Sequence, residues 1–368
     1  MKFSAQRETL LTPLQHVVGA VEKRQTSPIL GNVLIVADDG YLTLTASDSE
    51  IEMQARVEMH IDAVGSTTVP ARKLLEICKH LPESARVDFD ASGDKVVFKS
   101  GRSRFTLATL PSEEFPQVAE LEAPQKVVLS AEVLHTCIKN TAFSMAQQDV
   151  RFYLNGMLLE IGADHLSCVA TDGHRLAYAQ CDTDAEPETP VRAIIPRKSI
   201  GELQRLLGSV DANESVTLLV TSQHLQIQVG GVRLSTKLID GRFPDYNRVI
   251  PIDSNKELLI DCQTLKQSLT RASVLSNEKY RGVRIALQTG TLTISSNNPE
   301  QEEAIDELEV DYTGESTEIG FNVTYLLDVL NSLETENARI LIKDGNSSAL
   351  ITPETTSDSK YVVMPMRL

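Results

Sequence analysis

The 368-residue chain is 41% hydrophobic and 23% charged, ordinary values for a soluble protein of two or three domains. No run approaches the roughly 18 apolar residues of a membrane helix, and five scattered cysteines without a CxxC argue against a disulfide framework, a zinc finger or a thioredoxin-like site. A net charge of −16 speaks against a surface coated in nucleic acid, but is silent about a local basic face.

From Lys2, KFSAQRETLLTPLQHVVGAV reads as a short strand and then an amphipathic helix with a Leu11, Leu14 and Val18 stripe. It carries no apolar signal-peptide core, so a reducing cytoplasm is expected. Alternating strands such as ADDGYLTLT lead to TTVPARKLLEICKHL, a strand end feeding a second helix. Pro70 suits that helix's first position, and Leu74, Leu75, Cys78 and Leu81 form its stripe. SRFTLATLPSEEFP alternates and breaks at Pro111, and LEAPQ (121–125) reads as a linker.

The scheme then starts again. KVVLSAEVLHTCIKNTAFSM, from Lys126, has Ser130 as an N-cap and a Leu134, Ile138 and Ala142 stripe. GADHLSCVATDGHRLA is a strand pair with a turn, and RAIIPRKSIGELQRLL places Pro196 before an Ile200, Leu203 and Leu207 stripe. VRLSTKLIDGRFP breaks at Gly241, and PDYNRVIPIDSN (244–255) reads as a second linker. The third pass is ELLIDCQTLKQSLTRASVLS from Glu257, with Asp261 as the cap and Leu265, Leu269 and Ala272 as the stripe. IGFNVTYLLDVLNSL follows, with Asn322 before Leu326, Leu330 and Leu333, and KYVVMPMRL breaks at Pro365.

Pro70, Pro196 and Asn322 are each 126 residues apart, and the terminal strands recur at separations of 128 and 126. Self-similarity at a fixed period marks a repeated unit. The expectation is an α+β chain of three domains of one fold, each with two helices packed on antiparallel sheets, at 1–124, 125–249 and 250–368. Three copies leave two unmatched ends; if these complement each other, two chains close head to tail into a ring. The helices carry Arg72, Lys73 and Lys79, then Arg197, Lys198 and Arg205, with Lys139, Lys266, Arg271 and Arg24 nearby. Such residues neutralise phosphates without reading sequence. A solvated helix face is the plainer explanation, weakened by recurrence in two repeats; the third repeat's second helix is acidic.

An enzyme would need a catalytic group. Asp172-Gly173-His174-Arg175 offers a carboxylate beside a histidine, but Asp-Gly between apolar residues is more often a hairpin turn, and no P-loop, GxSxG or HExxH occurs. An acidic protein-only scaffold is the other rival, and the repeated basic helix face argues against it. The five cysteines are expected to serve as small apolar packing.

GRSRFTLATLPSEEFP (101–116), MAQQDVRFYLNGMLLE (145–160), VATDGHRLA (169–177), DGRFPDYNRV (240–249), LSNEKYRGVR (275–284), NNPEQEEA (297–304), IGFNVTYLLDVLN (319–331) and YVVMPMRL (361–368) together resemble the bacterial DNA polymerase III beta subunits, the replicative sliding clamps. The resemblance runs in the same order from Met1 to Leu368. It implies a non-catalytic, cofactor-free homodimeric ring, closed head to tail, that encircles double-stranded DNA and is placed there by an ATP-driven clamp loader. It implies that the ring tethers the DNA polymerase III catalytic subunit, other polymerases and repair proteins through a short linear motif, with no membrane involved.

Carried over by position, the resemblance puts DNA contacts at Arg24, Arg72, Lys73, Gln148, Arg151, Tyr153, Arg197, Lys198 and Arg205. It puts the apolar half of a partner-peptide pocket at Thr171, Gly173, His174, Arg175, Leu176, Pro244, Arg248, Val249, Val362 and Met364. The neighbouring half takes Arg151, Tyr153, Leu154, Tyr280, Asn322, Tyr325, Asn346, Ser348, Pro365, Met366 and Arg367. Asn346 is more polar than the family pattern, and Phe152 stands where some relatives would carry Tyr. The implied dimer interface sets Lys73, Arg102, Arg104, Phe105 and Leu107 against Val274, Leu275, Glu300, Glu302 and Glu303 of the other copy.

Overall fold

The computed structural model describes residues 1–368 apart from 23–26, 117, 119–120, 356–357 and 368. Its first block holds β1 (Lys2–Gln6), α1 (Arg7–Val17), β2 (Asn32–Asp38), β3 (Tyr41–Ser47), β4 (Ile51–Glu58), β5 (Gly65–Pro70), α2 (Ala71–His80), β6 (Arg86–Ser92), β7 (Lys95–Ser100) and β8 (Ser103–Ala108). The second holds β9 (Gln125–Ser130), α3 (Ala131–Lys139), β10 (Gly156–Ile161), β11 (His165–Thr171), β12 (Arg175–Asp182), β13 (Val191–Pro196), α4 (Arg197–Leu207), β14 (Ser215–Val220), β15 (His224–Val229) and β16 (Val232–Lys237). The third holds β17 (Lys256–Asp261), α5 (Cys262–Ser273), β18 (Gly282–Gln288), β19 (Thr291–Asn297), β20 (Glu303–Glu309), β21 (Thr317–Asn322), α6 (Val323–Ser332), β22 (Asn337–Ile342), β23 (Ala349–Pro353) and β24 (Ser359–Val363). One strand, a helix, four strands, a helix and three strands therefore recur three times, the repeat expected from the sequence.

By contact the chain divides into two compact units. The first comprises Met1–Leu134, Ala185–Thr189 and Lys198–Leu238. It contains a four-stranded sheet, β1-β6-β7-β8, and an eight-stranded sheet, β5-β2-β3-β4-β16-β15-β14-β9. The eight-stranded sheet is two half-sheets fused where β4 pairs antiparallel with β16, Ala55 opposite Val232 and Ile51 opposite Thr236. The second unit comprises His135–Asp184, Pro190–Arg197 and Ile239–Leu368. Its eight-stranded sheet, β13-β10-β11-β12-β24-β23-β22-β17, is fused where Arg175 of β12 faces Val363 of β24. Its four-stranded sheet is β20-β19-β18-β21.

The helices form because their apolar residues fall three and four apart and bury one stripe on a sheet. In α5 and α6, Leu265, Leu269, Leu326 and Leu330 pack with Ile285, Phe321 and Tyr361 into one apolar cluster, each leucine contributing about 2 kcal/mol through removal from water. Asp261 caps α5 as expected, accepting from the Thr264 amide at 2.7 Å, and the Ser130 hydroxyl accepts from Val133 at 3.3 Å at the start of α3.

Three expectations are corrected. Of the expected first-helix stripe, Leu14 and Val18 are buried but Leu11 is only half-buried, and Leu10, Pro13 and Val17 complete the buried face. Pro70 and Pro196 are not the first helical residues. Each closes a strand, opposite Asn32 and Gly156 respectively, and the helix begins one residue later. A proline lacks the amide a longer ladder would need. The stretch 244–255 is not a free linker: Tyr246 and Val249 pack on the cluster of Leu158, Leu176, Phe243 and Val362, and the Tyr246 hydroxyl donates to Glu160 at 2.7 Å.

Candidate functional site

The second unit carries an open cleft of about 310 Å³ lined by His174, Lys279, Tyr280, Asn322, Tyr325, Met364, Pro365 and Met366. Three local structures meet there. The first is the turn from β11 to β12. Asp172 accepts from the His174 and Arg175 amides at 2.9 and 3.0 Å, and the Thr171 hydroxyl donates to the Arg175 carbonyl at 2.6 Å. Gly173 has φ +89°, the left-handed region that favours glycine, and the Arg151 guanidinium packs over it where a Cβ would displace it. The Asp172 carboxylate is thus spent on turn amides and on Arg175, the hairpin role rather than the acid–base one.

The second is the start of α6. Asn322 caps the helix, accepting from Thr324 at 2.9 Å, and its amide reaches the Tyr280 carbonyl at 3.4 Å. Asn277 accepts from the amides of Lys279 and Tyr280, both at 3.0 Å, which presents the Tyr280 ring 54% exposed. The third is the segment after β24. The Met364 amide donates to His174 at 2.9 Å and the Met366 amide to Gly320 at 2.7 Å, laying Met364–Met366 between the other two.

Arg175 ties these parts together. Its side chain is 11% exposed and pairs with Asp172 at 3.1 Å and with Asp328 of α6 at 2.5 Å. It also donates to the Phe143 carbonyl at 2.6 Å and lies 4.5 Å over the Tyr325 ring. The guanidinium fork is committed, so Arg175 organises the cleft rather than offering a free cation. Burial, then Asp172, raise the Tyr325 phenol above its usual range.

The remaining pocket candidates divide by depth. Leu154, Thr171, Leu176 and Val362 are buried beneath the surface; Tyr153 and Val249 pack on that layer half-buried. Pro244 and Ser348 are half-buried, Arg367 is exposed, and Arg248 is exposed in a 2.9 Å pair with Asp245. Asn346 is exposed on a turn held by Asp344 and is outside the residues that line the cleft. Lys279 was missed by sequence reasoning; its signal was the Asn277 turn that places it beside Tyr280.

The segment 147–155 holds Gln148 at φ +57° and Arg151 locked on Asp149 at 2.9 Å. That hydrogen bonding pulls the Asp149 carboxyl down to about 2. On either side of Arg151, Val150 and Phe152 are 87% and 74% exposed.

The described DNA-contact candidates of the first unit lie on α2 and α4. Arg72 donates to Val21 carbonyl oxygen at 2.7 Å; Lys198 donates to Ala20 carbonyl oxygen at 3.0 Å and pairs with Asp48. Arg205 donates to the Gln15 and His16 carbonyls at 2.5 and 2.8 Å, and also pairs with Glu202. They therefore satisfy the carbonyls that α1 and the turn after it leave open. Lys73 is exposed. In the second unit Arg197 donates to Met145 carbonyl oxygen at 2.7 Å. Lys139 and Arg271 are paired with Glu334 and Asp306. Arg24 lies outside the described residues.

Most of the interface candidates lie on or next to two sheet edges, with Lys73 on α2 and Val274 and Leu275 just after α5. Arg104, Phe105 and Leu107 belong to β8 and Arg102 precedes it; β8 ends the first unit's four-stranded sheet. Glu303 begins β20, which ends the second unit's four-stranded sheet, and Glu300 and Glu302 lead into it. Val274 is 75% exposed beside half-buried Leu275, and Ile305 on β20, which sequence reasoning missed, is 60% exposed.

Comparison with known proteins covers the whole chain. The family models for the DNA polymerase III beta subunit match as the N-terminal domain over residues 1–119, the central domain over 128–245 and the C-terminal domain over 247–367. The beta sliding clamp of Pseudomonas putida is 49% identical, with 100% of both chains covered. A solved sliding clamp (DNA polymerase III subunit beta) from Pseudomonas aeruginosa bound to griselimycin is 48% identical, with a TM-score of 0.95 and 100% of both chains covered. The DNA polymerase sliding clamp of Caulobacter crescentus is 37% identical, with a TM-score of 0.91 over 100% of both chains.

Proposed function

The chain belongs to the DNA polymerase III beta-subunit family, and on that footing we propose that it is a replicative sliding clamp. Two copies close head to tail around duplex DNA and tether polymerases and repair proteins, without chemistry of their own and in the cytoplasm. The three domains are 1–124, 125–249 and 250–368.

One observation carries the ring. In both eight-stranded sheets the third of the four strands between the helices of one block pairs with the last strand of the next block: β4 with β16, and β12 with β24. By the same rule β20 should pair with the last strand of a following block. Within one chain the counterpart left over is β8, and both β8 and β20 are sheet edges. An unpaired edge is a template for another strand. A second copy supplies the match: β20 of one copy against β8 of the other, twice, closes six domains. Arg102 and Arg104 would then face the acidic run around Glu300, Glu302 and Glu303, which fixes register, while Phe105, Leu107, Val274 and Leu275 supply the apolar centre.

DNA would be held loosely, through Arg24, Arg72, Lys73, Gln148, Arg151, Tyr153, Arg197, Lys198 and Arg205, with topology supplying retention. Partners would dock a short apolar motif in the cleft of Tyr280, Met364, Pro365 and Met366. Methionines give such a floor the pliancy to take several sequences.

The test is retention on circular DNA. The protein is loaded onto nicked circles by a clamp loader and ATP, isolated by gel filtration, and the circle is then cut. Release on cutting with retention on uncut circles is expected. Equal retention on both forms would remove the ring, and no retention with an active loader would favour a protein-only scaffold.

A further inference from the structure

The second unit brings three thiols together: Cys137 of α3, Cys168 of β11 and Cys181 of β12. The strand register sets Cys168 opposite Ala179 and Cys181 opposite Leu166, so the two strand thiols are diagonal neighbours on one face of the sheet. Cys137 lies against them. Its Sγ is 3.0 Å from the Cys181 Sγ and within 3.6 and 3.8 Å of the Leu166 and Ala179 carbonyls. Cys137 and Cys168 are buried, whereas Cys181 is partly exposed.

We propose that Cys137 and Cys181 form an oxidisable dithiol, converted to a disulfide by a two-electron oxidant of the peroxide class. The Sγ atoms need to approach by about 1 Å to reach a bonded separation of roughly 2.0 Å. Cys181 is the entry point because it is the least buried residue of the three. Its sulfur attacks the peroxide, the O–O bond breaks, and Cys181 becomes a sulfenic acid as water leaves. The Cys137 sulfur then attacks that sulfur: the S–S bond forms, the S–O bond breaks, and hydroxyl departs as water with the Cys137 proton. Two electrons pass from the thiols to the peroxide.

Geometry and reactivity act in opposite directions here. The neighbouring Cys168 thiol and then burial push Cys137 above the ordinary thiol range, and Cys137 and then burial do the same for Cys181. Thiolate is the reactive form, so the first step is slow at neutral pH and accelerates as pH rises. The second step is intramolecular and fast. The product ties the end of α3 to β12, the strand that begins at Arg175 in the cleft.

The experiment exposes the full chain to hydrogen peroxide, alkylates remaining thiols, digests without reduction and reads the peptides by mass spectrometry. A cross-linked pair containing Cys137 and Cys181 is expected, lighter by two hydrogens, lost on reduction, absent in Cys181→Ser and retained in Cys168→Ser. Three results in the wild-type chain would overturn the proposal: Cys181 halted at sulfinic acid with Cys137 still alkylated, a Cys168–Cys181 link in its place, or all three thiols alkylated after peroxide.

Discussion

The cleft of the second unit and the basic helices of the first use charge in opposite ways. In the cleft, the organising charge lies behind the surface: Arg175 is enclosed by Asp172, Asp328 and the Phe143 carbonyl, and Tyr280, Met364, Pro365 and Met366 face the cleft, with Lys279 beside the Tyr280 ring. On α2 and α4, the cations hold backbone carbonyls yet stay partly exposed, Arg205 at 42% and Lys198 at 33%. The first arrangement suits a shaped ligand that must be held. The second suits a polyanion that must be attracted without being gripped.

Removing Arg175 should have the largest effect. Arg175→Ala leaves two carboxylates and a carbonyl in a nearly enclosed site, and breaking such a network costs on the order of 3 kcal/mol. Urea unfolding should show that loss together with loss of motif-peptide binding; unchanged stability would mean that the network is not what shapes the cleft. Tyr280→Ala separates the two effects. It should cost about 2 kcal/mol of peptide affinity, the scale of an aromatic anchor, with melting unchanged, as read by fluorescence anisotropy and calorimetry.

On the basic side, Arg205→Ala should cost about 1 kcal/mol of stability through the two carbonyls at the end of α1, a third of the Arg175 effect. Lys73→Ala should leave stability unchanged and lower the slope of log affinity for DNA against log salt by about one. Peptide affinity should hardly respond to the same salt range.

The smallest effect is a pH dependence. Burial, then Arg205, hold His16 below the ordinary histidine range. A base with a depressed folded value contributes stability that is present above about 6.5 and lost as pH falls through the folded value. The first unit should therefore weaken on mild acidification, and His16→Gln should flatten that dependence in pH-stepped melting.

The sequence revealed the features that depend on local spacing. The three passes of strand, helix and strands, the Asp261 cap and the stripe of Leu265, Leu269 and Ala272 are local, so periodicity exposes them. Arg175 looked like one more cation of a candidate pocket, because its partner Asp328 lies 153 residues away. Lys279 carries no periodicity at all. The docking of Tyr246 and Val249 was hidden behind a composition rich in turn residues. The fusion of half-sheets was equally out of view, since the pairing of β4 with β16 depends on which edges meet and not on any local pattern.

That fusion has a consequence for how the protein is made. Ala55 pairs with Val232, so β4 leaves the ribosome on the order of 170 residues before its neighbour. At roughly 5–20 residues per second, this edge waits about ten to thirty seconds with its backbone groups open. The strand meets that interval with Glu52, Arg56 and Glu58 among its apolar residues, charges of the kind that discourage premature pairing. The β12 edge waits as long for β24, with Arg175 and Asp182 at its two ends. Slowing translation should lengthen both intervals, and aggregation of nascent chains, rather than of the finished protein, is where the burden of this architecture would fall.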